Sequence, residues 1–167
     1  IVDWFRVTRY LDMQDRSIKD VINSSIACFK KIRIIDKEVK CVFEEENYVV
    51  KGNFVKPIIT SMMTLMNNCI IHSGMKSNVS IAIKVFTEGE FIVIEISNNI
   101  ANIIANHLNL DDLQVKIKNP ASRIYTKSEG GTGLTKVYVE ISNCYPYSDI
   151  NLIKDNGFFK VQLKFHD

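Results

Sequence analysis

The 167-residue sequence lacks any uninterrupted apolar run approaching the roughly 20 residues that cross a bilayer, so it offers no evident helical span. It has little net charge: 21 Lys and Arg against 19 Asp and Glu leave +2. That balance gives no ground for a nucleic-acid-binding surface. Cysteine is scarce and scattered at Cys28, Cys41, Cys69 and Cys144. No C-x-x-C pair is present, which removes the usual spacing of a metal site or redox couple. Cys28 and Cys69 fall among apolar neighbours on predicted helices, as structural thiols of a reducing compartment do, and the expected location is cytoplasmic. Internal repeats and low-complexity stretches are absent. The opening Ile1-Val2-Asp3-Trp4 is neither an initiator Met nor a signal peptide, and the chain reads as a fragment of something longer.

What is present suits one globular domain. The composition is 46% hydrophobic and 24% charged, and the length allows a single real core. Ser17 to Arg33 reads as a helix with Ser17 as N-cap and Ile18, Val21, Ile22, Ile26 and Phe29 at helical spacing. Residues 1–16 read as an N-terminal extension or the end of an upstream linker, and 17–167 as the domain. Val39 to Phe43 and Tyr48 to Val50 read as short strands around the turn Glu44-Glu45-Glu46. Pro57 suits the first residue of a helix running to about His72, with Gly74 beyond it as the stop. Its apolar face is Ile58, Met62, Leu65, Met66 and Cys69, and Ser61, Thr64, Asn68 and His72 form a polar stripe. Val79–Val85 and Ile92–Ile96 alternate as a hairpin, and Ile150–Ile153 with Phe159–Phe165 form a second around Asp155-Asn156-Gly157. Between the hairpins, Ala101 to Lys118 is mixed and partly helical, and Leu134 to Ser142 is a helix opening from a glycine segment. Helices bunched with antiparallel hairpins predict an α+β, two-layer sandwich.

Three segments carry chemistry. The first is Glu129-Gly130-Gly131-Thr132-Gly133-Leu134-Thr135, where glycines and a helix N-terminus can cradle phosphate; taken alone, such a segment is more often just a turn. It is neither a P-loop nor a Rossmann fingerprint. The second is the polar stripe, in which Asn68 offers a hard oxygen of the type Mg²⁺ accepts and His72 can stack on a flat ring. In isolation it is also a plain solvated face. The third is Ile94-Glu95-Ile96-Ser97-Asn98-Asn99-Ile100, a buried strand ending in amides. Asn98 can pair with a base edge, or simply mark a turn.

In combination, the order and spacing of these segments resemble the ATP-binding domain of histidine kinases, within the GHKL superfamily of gyrase, heat-shock chaperone, histidine kinase and MutL proteins. Thr64-Leu65-Met66-Asn67-Asn68-Cys69-Ile70-Ile71-His72-Ser73 is similar to the family's N box, and Val50-Lys51-Gly52-Asn53 to the strand and turn that precede it. Tyr125-Thr126-Lys127-Ser128-Glu129-Gly130-Gly131-Thr132-Gly133-Leu134 looks like the family's lid and phosphate segment. The resemblance covers roughly Val39 to Phe165. It implies a Bergerat-type fold, a mixed, mostly antiparallel sheet with helices on one face. It implies ATP and Mg²⁺ as cofactors, with Asn68 holding the metal and Asn98 and His72 the adenine. Lys127, Gly131, Thr132, Gly133 and Leu134 would meet the phosphates beneath a lid spanning Ala101 to Glu129.

Several positions depart from the family pattern. Asn98 replaces the Asp that reads the adenine amino group, and Ile100 and Asn102 replace two glycines. Thr64 stands where hydrolysing members carry a water-activating Glu, so fast ATP hydrolysis is not expected. Ile71 replaces a common Lys, and Thr135 the third glycine of the phosphate loop. None of His72, His107 and His166 lies in a phosphoacceptor context, and no catalytic residue is assigned. The expectation is a nucleotide-binding, histidine-kinase-like module of a larger signalling or switch protein, passing phosphoryl to an acceptor outside this chain. Its expected partners are ATP, the adjoining domains and a phosphoacceptor, with no nucleic acid and no membrane contact. A degenerate relative kept as a scaffold, and a mechanical ATP hydrolase, stand as the other readings.

Overall fold

The computed structural model describes residues 14–33, 39–75, 78–119 and 133–166. The first strand, β1 (Arg16–Ser17), leads into α1 (Ile18–Arg33). Ser17 caps that helix as its position predicts, its Oγ accepting from the Asp20 N–H at 3.1 Å. Next come β2 (Val39–Phe43), β3 (Val49–Val50) and α2 (Gly52–Ile71). Strands β4 (Ile81–Glu88) and β5 (Phe91–Asn99) make the first hairpin. Two short helices follow, α3 (Asn102–His107) and α4 (Leu110–Lys118). The chain then supplies α5 (Gly133–Cys144) and the hairpin β6 (Tyr147–Asp155) and β7 (Phe158–His166).

Five strands form one mixed sheet in the order β2-β4-β5-β7-β6. Only β2 with β4 is parallel, in the register Val39↔Ile81; the other neighbours are antiparallel. A parallel neighbour needs a long crossover, and here β3 and α2 supply it. β3 leaves the main sheet and pairs with β1. The fold is thus the expected α+β sandwich, with the hairpin strands one to five residues longer than expected, β2 as expected and β3 one residue shorter.

One face of the sheet carries the core. Ile83, Val85, Ile94, Ile96, Val161, Leu163 and Phe165 are buried there, against Ile18 and Ile22 of α1, Ile58, Met62 and Leu65 of α2, and Val137 and Ile141 of α5. Tyr145 closes one end by stacking on Phe165 with ring centroids 4.5 Å apart. The opposite face carries Val93, Phe86 and Phe91 among polar pairs: Gln162 Nε2 donates to Glu95 Oε2 at 2.8 Å, Lys84 meets Glu44 at 2.8 Å and Lys164 meets Glu88 at 2.7 Å.

Helix α2 corrects the sequence expectation. It begins at Gly52, five residues before Pro57, which sits inside the helix. No side chain of Lys51 caps it. Instead Asp15 reaches across, its Oδ1 accepting from the Gly52 N–H at 2.9 Å, so a carboxylate 37 positions away stabilises the positive end of the helix. By length and mean composition α2 would also pass for a membrane span. Eight of its 20 residues are buried, however, as in the central helix of a globular core. Its polar stripe is split: Ser61 is fully buried, and the Thr64 hydroxyl donates back to the Thr60 carbonyl at 2.9 Å.

Candidate functional site

The C-terminal half of α2, the ends of β5 and β7, the helices α3 and α4 and the first turn of α5 enclose a cavity of about 350 Å³. Its walls are mainly aliphatic: Leu65, Ile96, Ile104, Leu108, Leu113 and Val161 all border it, with Phe159 supplying an aromatic ring. Among the described residues the polar groups on the wall come from Asn68, His72 and Asn98. A cavity of this size and polarity is suited to a flat, largely apolar ring system fixed by a few directional groups.

Each polar group is placed by its element. Asn68 and His72 sit one turn apart near the end of α2, where the His72 N–H donates to the Asn68 carbonyl at 2.9 Å. Asn98 points inward from β5 and is only 2% exposed. Its Nδ2 donates one of its two hydrogens to the Asn99 carbonyl at 2.8 Å, and the side chain borders the cavity. Cys69 is also on the wall, where burial pushes its thiol up to about 12 and keeps it a protonated apolar group.

Two glycines allow the close approaches. At Gly133 an added Cβ would lie 2.9 Å from Asn68 Nδ2 and 3.1 Å from Oδ1, so the start of α5 rests directly on that amide. At Gly74 φ is +68°, and a Cβ would come within 2.5 Å of Ile104 Cγ1. There the Ser73 carbonyl accepts from the Ala101 N–H at 2.8 Å, fixing the entry to α3 against the end of α2.

The α3–α4 segment is tied to the sheet edge. Gln114 of α4 bridges two backbone groups of β6: its Nε2 donates to the Ile150 carbonyl, and its Oε1 accepts from the Leu152 N–H at 3.1 Å. Lys118 meets Asp149 at 2.5 Å, and Lys154 donates to the Ala105 carbonyl at 2.9 Å. These contacts cover an otherwise open strand edge and hold Leu113 at the cavity wall.

Of the candidates named from sequence, Asn68, His72, Asn98, Gly133 and Leu134 border this one cavity. Lys127, Gly131 and Thr132, with the rest of the glycine segment before Gly133, lie outside the described residues. Helices α3 and α4 fall within the span Ala101 to Glu129 expected as a lid, but their individual wall residues, and those of β7, carry no local motif and were not singled out. His107 lies at the exposed C-terminus of α3, and His166 stacks on Tyr147 with ring centroids 4.8 Å apart.

Comparison with known proteins agrees with this arrangement. The family described as "y4jQ C-terminal putative histidine kinase domain" matches residues 17–166, and the chain belongs to that family. Among solved structures, the catalytic domain of the histidine kinase ThkA, in a nucleotide-free form, superposes with a TM-score of 0.69 at 16% identity, covering 92% of this chain and 94% of that one. A mycobacterial sensor histidine kinase, MprB, gives 0.66 at 11% identity, covering 92% and 96%. The Acinetobacter baumannii histidine kinase AdeS gives 0.62 at 14% identity, covering 99% and 76%. No curated protein matches the chain. The fold is therefore that of a histidine kinase catalytic domain, of the GHKL type.

Proposed function

We propose that the chain binds ATP with Mg²⁺ in this cavity and serves as the catalytic domain of a histidine-kinase-like protein, passing phosphoryl to an acceptor outside itself. The observation that carries this reading is the meeting of Gly133 with the Asn68 amide on the wall of an apolar cavity that Asn98 also borders. The aliphatic walls suit an adenine ring, Asn98 Oδ1 suits its amino group, and His72 suits packing against it. The residues also fit the metal. Asn68 offers one hard carbonyl oxygen, and Mg²⁺ commonly takes one or two protein ligands, completing its shell with phosphate and water. When bound, the ion would supply charge neutralisation for phosphoryl transfer.

The first N–H groups of α5, from Gly133 and Leu134, are suited to phosphate oxygens at the positive end of that helix, with Gly131, Thr132 and Lys127 just upstream. Thr64 offers no base for hydrolysis, since its hydroxyl is turned to its own helix. The acceptor and the remaining domains of a larger cytoplasmic protein are the partners this reading calls for.

Calorimetric titration of the chain with a non-hydrolysable ATP analogue, with and without Mg²⁺, tests the reading alongside Asn68→Ala. Metal-dependent binding that the substitution weakens by about tenfold or more is the expected result. Absence of heat at millimolar analogue, from a chain shown to be folded, would sink it in favour of a scaffold.

A further inference from the structure

Asn156-Gly157 is the single Asn-Gly pair in the sequence. It forms the tip of the β6–β7 hairpin, where Asp155 pairs with Phe158 and both tip residues have positive φ, +46° at Asn156 and +80° at Gly157. The tip is open. Asn156 is exposed, and a Cβ added at Gly157 would meet nothing within 4 Å. Among the described residues, no hydrogen bond holds the Asn156 side chain or the Gly157 N–H. An unhindered main-chain nitrogen therefore follows an unrestrained carboxamide.

The inner side of the same turn is not open. The Gly157 carbonyl accepts from the Ile100 N–H at 2.9 Å, and Ile100 is buried and borders the cavity. Phe159, two residues on, borders it as well. On the other flank, Lys154 donates to the Ala105 carbonyl of α3 at 2.9 Å. The turn thus buttresses the cavity wall from behind.

We propose that Asn156-Gly157 is a site of spontaneous deamidation, and that its isoaspartyl product releases Ile100 from the turn and loosens the cavity wall. The Gly157 nitrogen attacks Asn156 Cγ. The N–Cγ bond forms as Cγ–Nδ2 breaks, and Nδ2 leaves as ammonia with the proton that Gly157 gives up, passed through water. Water then opens the cyclic imide at either carbonyl. Opening at Cγ leaves an ordinary aspartate. Opening at the main-chain carbonyl leaves isoaspartate, in which the chain runs through Cβ and Cγ and gains one backbone atom. A two-residue turn has no slack for that atom. The Gly157 carbonyl is displaced, and the buried Ile100 N–H loses its acceptor. Lys154, Asp155 and Lys160 are the charged groups around the tip, with Asp155 and Lys160 meeting at 3.2 Å. With these committed, solvent base takes the Gly157 proton, and conversion quickens as pH rises.

Ageing of the folded chain in mildly alkaline and in mildly acidic buffer tests this, with peptide mass spectrometry for the site and an isoaspartyl methyltransferase assay for the linkage. Asn156 should convert ahead of every other asparagine, faster in alkali, and mainly to isoaspartate. In the converted chain, hydrogen exchange at the Ile100 amide should be about tenfold or more faster and Tm lower by about 2–4 °C. Freshly prepared Asn156→Asp and Asn156→Gly are the controls, since Asp-Gly and Gly-Gly both suit this turn and neither adds a backbone atom. Both should keep Ile100 exchange within about threefold of the fresh parent, and Asn156→Gly should form no isoaspartate at the turn. Each readout stands without nucleotide. An Asn156 that stays intact in the folded chain and converts only in urea overturns the proposal. So does an isoaspartyl chain whose Ile100 amide is as protected as before, or an Asn156→Asp variant that loses that protection to the same degree.

Discussion

Two parts of the cavity wall are built by different means. The part at Asn98 is made of side chains: one amide of β5 and aliphatic residues of α3, α4 and β7. The part at Gly133 is made by bringing backbone against an amide, with no room for a Cβ between them. A wall of side chains tolerates substitution, because neighbours can share the lost or gained volume. A backbone contact does not. The departures from the family pattern fall on both parts, with Asn98, Ile100 and Asn102 at the first and Thr135 at the second, but the glycine that rests on Asn68, Gly133, is kept.

The largest effect that would sharpen this contrast is expected from Gly133→Val. The new Cβ meets the far end of the Asn68 side chain, which can swing away at little cost in stability. Swinging away removes the proposed metal ligand and lifts α5 from its contact. Mg²⁺-dependent binding of an ATP analogue should fall by about 100-fold, near 2.7 kcal/mol, with a small change in Tm. Calorimetry beside a thermal melt checks both. A loss of stability that matches the loss of binding would instead make Gly133 a packing residue.

At the part of the wall beside Asn98 the expected pattern is reversed. Ile100 is buried and lines the cavity where the family has glycine. Ile100→Gly should cost about 3 kcal/mol through the void and the freed backbone. For a domain of this size that lowers Tm by about 6–12 °C. Affinity for the nucleotide analogue should change by less than about tenfold, because the directional groups are untouched. A gain of affinity far beyond that would mean that Ile100 blocks the base and that this part of the wall is degenerate.

A smaller effect is expected from the clamp behind the cavity wall. Gln114→Leu removes the bonds to the Ile150 carbonyl and the Leu152 N–H. The expected cost is about 1–2 kcal/mol, with faster hydrogen exchange at the Leu152 amide. Unchanged exchange there would show that α4 holds to the β6 edge without the amide bridge.

Local signals account for much of the fold and less of the site. Ser17 as N-cap, the bounds of β2 and both hairpins follow from a hydroxyl before an apolar-periodic run and from alternating isoleucines. The start of α2 was not legible, because its cap is Asp15, far upstream, and because Pro57 is tolerated after the helix has begun. The parallel pairing of β2 with β4 likewise depends on the crossover and not on either strand's own residues. In the site, Asn68, His72, Asn98 and Gly133 were legible only as a set, since each alone is an ordinary surface or turn residue. Ile104, Leu108, Leu113 and Phe159 had no signal at all: an aliphatic residue reads as core until the packing leaves a space beside it.

Glu140 provides the smallest and most specific test, because it lies on the same helix as Gly133 but off the cavity wall. Burial raises its carboxyl above the ordinary value of 4.5, opposed by the Ser61 hydroxyl, 3.4 Å away, and by the charge of Lys56. A raised value in the folded chain means that the native state keeps its proton to higher pH than the unfolded chain does. The associated stability is fully present below the unfolded carboxylate range and is lost as pH rises through the folded value. Glu140→Gln carries no charge at any pH, so it should be more stable than the parent at pH 7.5 and indistinguishable from it in acid. The half-exposed carboxyl is screened by water, which limits the gain to about 1 kcal/mol, or a Tm rise of about 2–4 °C. Nucleotide affinity should move by less than about threefold, since Glu140 is not on the cavity wall. Thermal melts at pH 4 and pH 7.5 decide the matter. A glutamine variant that melts lower than the parent at pH 7.5 would show that Ser61 and Lys56 hold the carboxylate more firmly than burial opposes it.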